Sequence, residues 1–164
     1  MLIGADPTHV DDRCICVTIH HCFFFLYGTR QRHPRLRYGK VHLYNIYSRN
    51  WGVYAVCASV ESQIYSRSAI YMKQVIRRQL SNITQRSSYF AEAPDKEEAS
   101  CGCLRSEGDM FLCGAEACVT GAERVFHPCE YYPTWTVQAP EEALKEVLPL
   151  CAGWLPIPRP AALE

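Results

Sequence analysis

An all-β fold, wound as a solenoid of short stacked coils, is what this sequence predicts, on two observations. The segments Cys14 to Phe25, Lys40 to Tyr47 and Val53 to Tyr71 are rich in Val, Ile, Tyr, Phe and Thr, the residues that strands prefer. Their centres also recur: Ile19, Leu43 and Tyr65 lie 24 and 22 residues apart, with turns rather than long helices between them. A recurrence in the low twenties marks coils that bury a face only against their neighbours. The length, 164 residues, suits one domain with a sizeable core.

Beyond Tyr71 the pattern stops. Met72 to Leu80 reads as a short helix, and Glu92 to Ser100 as a polar loop. Asn82-Ile83-Thr84 has the form of a glycosylation sequon. Pro140-Glu141-Glu142 starts a helix, with proline in the first turn and acids at the positive end of the dipole. Ala143, Leu144, Val147, Leu148 and Cys151 then share one apolar face, Gly153 is a stop, and Pro156 to Pro160 forms an extended tail. The chain thus divides into residues 1–139, the solenoid, and residues 140–164, a helix and proline-rich tail that pack on it.

Lys plus Arg and Asp plus Glu both number 17, which argues against a dedicated nucleic-acid binder. Nothing approaches the length of a membrane-spanning helix, and Met1-Leu2-Ile3-Gly4 is not the start of a signal peptide. The ten cysteines fit an oxidising compartment with some disulfides, whereas Cys14, Cys16 and Cys22 fit buried free thiols equally well. A zinc site from Cys14, Cys16, His20 and Cys22 departs from the Cys-x₂₋₄-Cys spacing of structural sites.

The charge is segregated. From Arg13 to Arg37 there are five arginines and no acid, and Arg30 to Lys40 alone holds five cations in eleven residues. Pro34 marks a strand entrance there, since it cannot donate a ladder hydrogen bond. Guanidinium forks match carboxylates and phosphates bidentately, so the segment points to a polyanion. Arg30 and Arg35 read as residues that tune the field or contact solvent. Glu61 and Asp109 read as structural, and His20 and His21, on alternate faces of a strand, as structural histidines.

The run from Arg30-Gln31-Arg32-His33-Pro34-Arg35-Leu36-Arg37-Tyr38-Gly39-Lys40 to Val41-His42-Leu43-Tyr44-Asn45 closely resembles the plant pectate lyases, polysaccharide lyase family 1. So do Met1-Leu2-Ile3-Gly4-Ala5-Asp6, Val17 to Phe23, Trp51 to Glu61, Arg105-Ser106-Glu107-Gly108-Asp109, and the blocks from Phe126-His127-Pro128 to Trp154 and Pro160. The similarity spans nearly all of the chain except about Lys73 to Ala91, and corresponds to the C-terminal part of the family. It implies a right-handed parallel β-helix and calcium-assisted β-elimination of polygalacturonate. The first arginine of Arg-x-Pro-x-x-Arg, Arg32, would be the catalytic base. Arg37 would grip substrate carboxylate, with Arg30 as a further substrate-binding residue. The family's calcium ligands fall upstream of Met1, so no metal ligand is assigned here. Neighbouring cations favour a neutral guanidine, which implies an alkaline optimum. Asn45 would stack with asparagines of neighbouring coils. The resemblance further implies a secreted cell-wall protein, monomeric, with no nucleic-acid or membrane partner. Two departures stand out: Phe24-Phe25-Leu26-Tyr27 replaces a shorter acidic turn, and Ile46 stands where a second asparagine is usual. An inactive polyuronate-binding β-helix and, less favoured, a nucleic-acid-binding basic patch are the alternatives.

Overall fold

Alternation sets the architecture. In β2 (Cys16–His20), β5 (Lys40–Tyr44), β8 (Gln63–Arg67) and β10 (Cys103–Glu107) every second residue is apolar or small. Successive side chains on a strand point to opposite faces, so these residues all face one way. Parallel pairing aligns them as Val17, Val41, Ile64 and Leu104, and again as Ile19, Leu43, Ser66 and Ser106. Most of these residues belong to one apolar core that also contains Leu36, Ile46, Trp51 and Tyr71. The computed structural model describes residues 1–25, 31–73, 102–117 and 119–153.

Two further parallel sheets complete the walls. One, sheet A, stacks β1 (Leu2–Ile3), β4 (Arg35–Arg37) and β7 (Cys57–Ser59). The second sheet, sheet B, is the β2-β5-β8-β10 stack. The third, sheet C, stacks β3 (Phe23–Phe25), β6 (Tyr47–Arg49), β9 (Ile70–Met72) and β11 (Met110–Leu112). The first three turns of chain each place one strand in every wall in the order A, B, C, and β10 and β11 extend sheets B and C. That is a parallel β-helix, the fold expected from the sequence.

The long strand segments expected at Cys14 to Phe25, Lys40 to Tyr47 and Val53 to Tyr71 are each broken by corners. Between sheets B and C the corner residues are His21, Asn45, Ser68 and Gly108, at φ 50, 48, 49 and 64°. Left-handed backbone costs an L-residue roughly 1–2 kcal/mol, least for Asn and Asp, and none of the first three is glycine. The inner residue of β8 is Ser66, not Tyr65, because Leu43 pairs with Ser66 and Tyr65 pairs with His42 on the outer face. The pattern also resumes after Tyr71: Met72 ends β9 rather than opening a helix, and β10 and β11 add a further coil. Residues 74–80, the Asn82 sequon and the tail from residue 154 lie outside the described residues.

Asn45 does more than turn the chain. Its Nδ2 donates to the carbonyls of Ser68 (3.2 Å) and Gln138 (2.7 Å), and its Oδ1 accepts from Gln138 N (2.8 Å). Its stack neighbours are His21 and Ser68, so the expected asparagine stack is replaced by a clasp on the C-terminal segment. Ile46, one residue on, is fully buried in the core. The helix α1 (Glu142–Cys151) then buries Leu144 and Leu148 against Tyr47 and Ile70 on the outer face of sheet C. Val147 and Cys151, expected on the same apolar face, are exposed, so the seam is only one residue wide per turn. The eight described cysteines are free thiols, with no disulfide among them.

Replacing Asn45 by Ala removes three hydrogen bonds from a buried side chain and puts Cβ-bearing alanine in left-handed backbone. It is expected to lower stability by about 2–4 kcal/mol, read as a shifted urea midpoint. A change under about 0.5 kcal/mol would show that the clasp is unimportant.

Candidate functional site

The arginine segment lies along the outer side of sheet A. Leu36 points inward and is fully buried, so Arg35 and Arg37 of β4 point outward. Arg32 precedes the strand in left-handed backbone, φ 76°. Behind it, His33 is fully buried: Nδ1 is 2.8 Å from Ser48 Oγ, N donates to Ala55 O at 2.5 Å, and the ring stacks on Phe24. The His33-Pro34 peptide is cis. An unlike pair of sequence neighbours results, a buried neutral histidine beside a half-exposed arginine at the strand mouth. Arg32 carries a buried Nε–H with no hydrogen-bond partner among the described residues. Nothing in the sequence reading singled out His33; its place between the motif arginine and Pro34 was the available signal.

Arg37 is anchored by Nη1 donating to Ala5 O at 2.8 Å. Gly4 permits that approach, since a Cβ there, at φ 77°, would collide with the Arg37 carbonyl oxygen. Arg35 corrects an expectation. It does not contact solvent but is 6% exposed, with Nε donating to Ser59 Oγ at 3.2 Å beside the Tyr54–Cys57 cluster. Arg30 lies outside the described residues. The structure therefore brings Arg32 and Arg37 to one outer wall and converts Arg35 into a wall component.

Glu61 forms an exposed ion pair with Arg13, 2.8 Å apart. His20 and His21 do not take opposite faces. The left-handed corner at His21 turns its Nδ1 to within 2.9 Å of His20 Nδ1, and both rings pack on Tyr44. Cys22 Sγ donates to His20 O at 3.2 Å. Among the described residues no three His, Cys, Asp or Glu side chains converge as a metal site, and none of their helices is long and apolar enough to cross a membrane.

On the outer face of sheet B, His42 stacks on Tyr65 and contacts Tyr132, with Trp135 edge-on at 5.5 Å. Burial lowers His42 to about 4, with Arg67, His127 and His20 adding to the effect. Burial likewise lowers His33 to about 4, helped by the N-terminal amine. Asp109 moves the other way, raised to about 6 by burial, although Ala69 N (2.8 Å) and Ser106 Oγ (2.7 Å) both donate to it.

The walls and the arginine face define a parallel β-helix protein with a cationic outer sheet. No family model matches the chain. Among curated proteins it is 36% identical over 115 residues to a pectate lyase of Lilium longiflorum, covering 70% of this chain and 25% of that protein. It is 37% identical over 87 residues to pectate lyase 1 of Juniperus ashei, covering 48% of this chain and 23% of that one. The crystal structure of Jun a 1, the major allergen from cedar pollen, superposes with a TM-score of 0.69 at 23% identity, covering 94% of this chain and 42% of that one. A pectate lyase variant from Xanthomonas campestris gives 0.66 at 18% identity, with 93% and 44% covered. The chain belongs to the plant pectate lyase family and spans about a quarter of the length of the curated relatives it matches.

The shifted groups predict how stability depends on pH. His33 and His42 titrate lower in the folded state than unfolded, so the stability they contribute is complete above about 6.5 and is lost as pH falls through about 4. Asp109 is raised, so its contribution is complete below about 3.8 and is lost as pH rises through about 6. Each shift corresponds to about 3 kcal/mol at most, and two histidines outweigh one aspartate. The urea midpoint is therefore expected to fall between pH 6.5 and 4, and Asp109→Asn to steepen that fall. A midpoint that rises on acidification contradicts this balance.

Proposed function

We propose that this chain carries the arginine face of a pectate lyase and acts on polygalacturonate by β-elimination. Each sugar of that polymer bears a carboxylate. A base removes the C5 proton, α to the carboxylate; the freed electron pair becomes the C4–C5 double bond. The C4–O bond breaks, and the departing glycosidic oxygen takes up a proton. In this reading Arg32 is the base, while Arg37, with Arg30, holds the substrate carboxylate. Positive charge beside that carboxylate makes C5–H more acidic, the electrostatic part of the catalysis.

The observation that supports the reading is the posture of Arg32. It stands in left-handed backbone on the buried His33–Ser48 anchor, on the same wall as the braced Arg37. The buried Nε–H of Arg32, without a partner among the described residues, is a donor that a substrate oxygen would satisfy.

For calcium, the fit is poor on this wall. The described strands of sheet A carry no Asp or Glu, and Asp6, close enough to feel Arg37, already accepts from Thr8 N and Oγ1. The described residues of sheet A do not form a calcium site, and the carboxylate-holding role falls to the arginines. That donor set equally favours the second reading, a polyuronate-binding β-helix without turnover. In either case the proposed setting is the cell wall, with a secreted monomer.

The test is formation of unsaturated product from polygalacturonate at alkaline pH with calcium present, for the chain and its Arg32→Ala variant. The expected outcome is loss of at least about a hundredfold in the variant with substrate binding retained. Equal turnover in both removes Arg32 from the chemistry; binding without turnover in both selects the second reading.

A further inference from the structure

Sheet B presents a second cationic position, away from the arginine wall. Outward residues at the end of the stacked strands are Tyr44, Arg67 and Glu107, aligned by register. Both oxygens of Glu107 are engaged: Oε1 accepts from Arg105 Nε at 2.6 Å and Oε2 from the Tyr65 hydroxyl at 2.5 Å. Arg67 feels the Glu107 charge, but its side chain makes no hydrogen bond or ion pair among the described residues. It lines an open cleft of about 410 Å³ with Pro133, Thr134, Trp135 and Val137.

Trp135 supplies the other half. Its ring is fixed edge-on against His42 and Tyr132 at 5.5 Å and tilted against His127 at 5.7 Å. Its indole N–H has no acceptor among the described residues. A rigid aromatic face with a spare donor, beside a guanidinium left over after charge pairing, suits a ring that has an apolar C–H face and a carboxylate.

The geometry points to the Arg67–Trp135 cleft as an accessory binding site for one or two residues of an anionic sugar chain, separate from the Arg32–Arg37 wall. The choice of a uronate rests on the pectate-lyase reading. Nucleic acid, which also stacks and carries negative charge, is disfavoured because a single cation lines the cleft.

The experiment is calorimetric titration of the full chain with trigalacturonate, without turnover at mildly acidic pH, comparing Arg67→Gln, Trp135→Ala and Arg37→Ala. Neutral galactose trimer and a short single-stranded DNA serve as competing probes. Arg67→Gln and Trp135→Ala are each expected to weaken the accessory binding at least about tenfold, while Arg37→Ala leaves it intact. Arg67→Gln keeps most of the side chain's length and removes its charge, so it guards against misfolding of the tryptophan variant, which circular dichroism checks. Loss with Arg37→Ala alone, equal binding of the neutral trimer, equal binding of DNA, or no binding at all overturns the accessory site. Loss with Arg67→Gln but not Arg37→Ala keeps it even if the arginine-wall reading fails.

Discussion

The left-handed corner repeated at His21, Asn45, Ser68 and Gly108 is the constraint on which the rest of the molecule depends. A strand of five residues cannot bend between two walls without one residue leaving the extended region, and parallel stacking demands that it leave at the same place in every coil. Because the corners superpose, Val17, Val41, Ile64 and Leu104 superpose too, and the core follows. The unfavourable backbone is offset locally. Asn45 meets it with three side-chain hydrogen bonds, His21 with a ring packed on Tyr44, and Gly108 by having no side chain.

The same logic explains the arginine wall. Inward positions of β4 and β7 are Leu36 and Ala58, both in the core, which leaves the outward ones to carry charge or chemistry. Two of the motif's cations then receive opposite treatments. Arg35 is covered and hydrogen-bonded to Ser59, while Arg37 is braced from below by the Ala5 carbonyl. Arg32 is positioned at its backbone by its neighbour: a buried histidine hydrogen-bonded to Ser48 cannot move without breaking core packing, so the chain entering β4 at Arg32 is held in place.

The sequence made the walls legible where strands are long and rich in β-branched residues, as in β2, β5 and β8, and it made α1 legible through Leu144 and Leu148. Three-residue strands escaped it. Arg35–Arg37 and Met110–Leu112 are too short for alternation to show, and Cys103–Glu107 carries a charged outer face that reads as loop. Corners held by His21 and Ser68 were invisible because neither residue advertises left-handed backbone. The one-residue error at Tyr65 has the same origin: an aromatic looks like core, yet the outer face of sheet B is covered by Val125 and Phe126, so Tyr65 is buried from the outside. The arginine cluster was legible as a run of cations, and within it Arg32 and Arg37 were singled out by the family resemblance alone. His33, Arg67 and Trp135 gain meaning only from three-dimensional neighbours.

Coil length behaves differently from coil register. Along sheet B the partners Ile19, Leu43 and Ser66 are 24 and 23 residues apart, but Ser66 and Ser106 are 40 apart and still pair in step. On sheet A the first step, Leu2 to Arg35, takes 33 residues and the next, Arg35 to Cys57, takes 22. Added chain enters between strands and never within them. The asymmetry is energetic: doubling a connection costs about 0.6 kcal/mol in closure entropy, whereas a one-residue slip inside β8 would turn Ile64 and Ser66 outward and bring Gln63 and Arg67 in. The stack thus works as a fixed ruler: strands keep step whether 22 or 40 residues of chain separate the partners, so length can change from coil to coil while the order of the core rows does not.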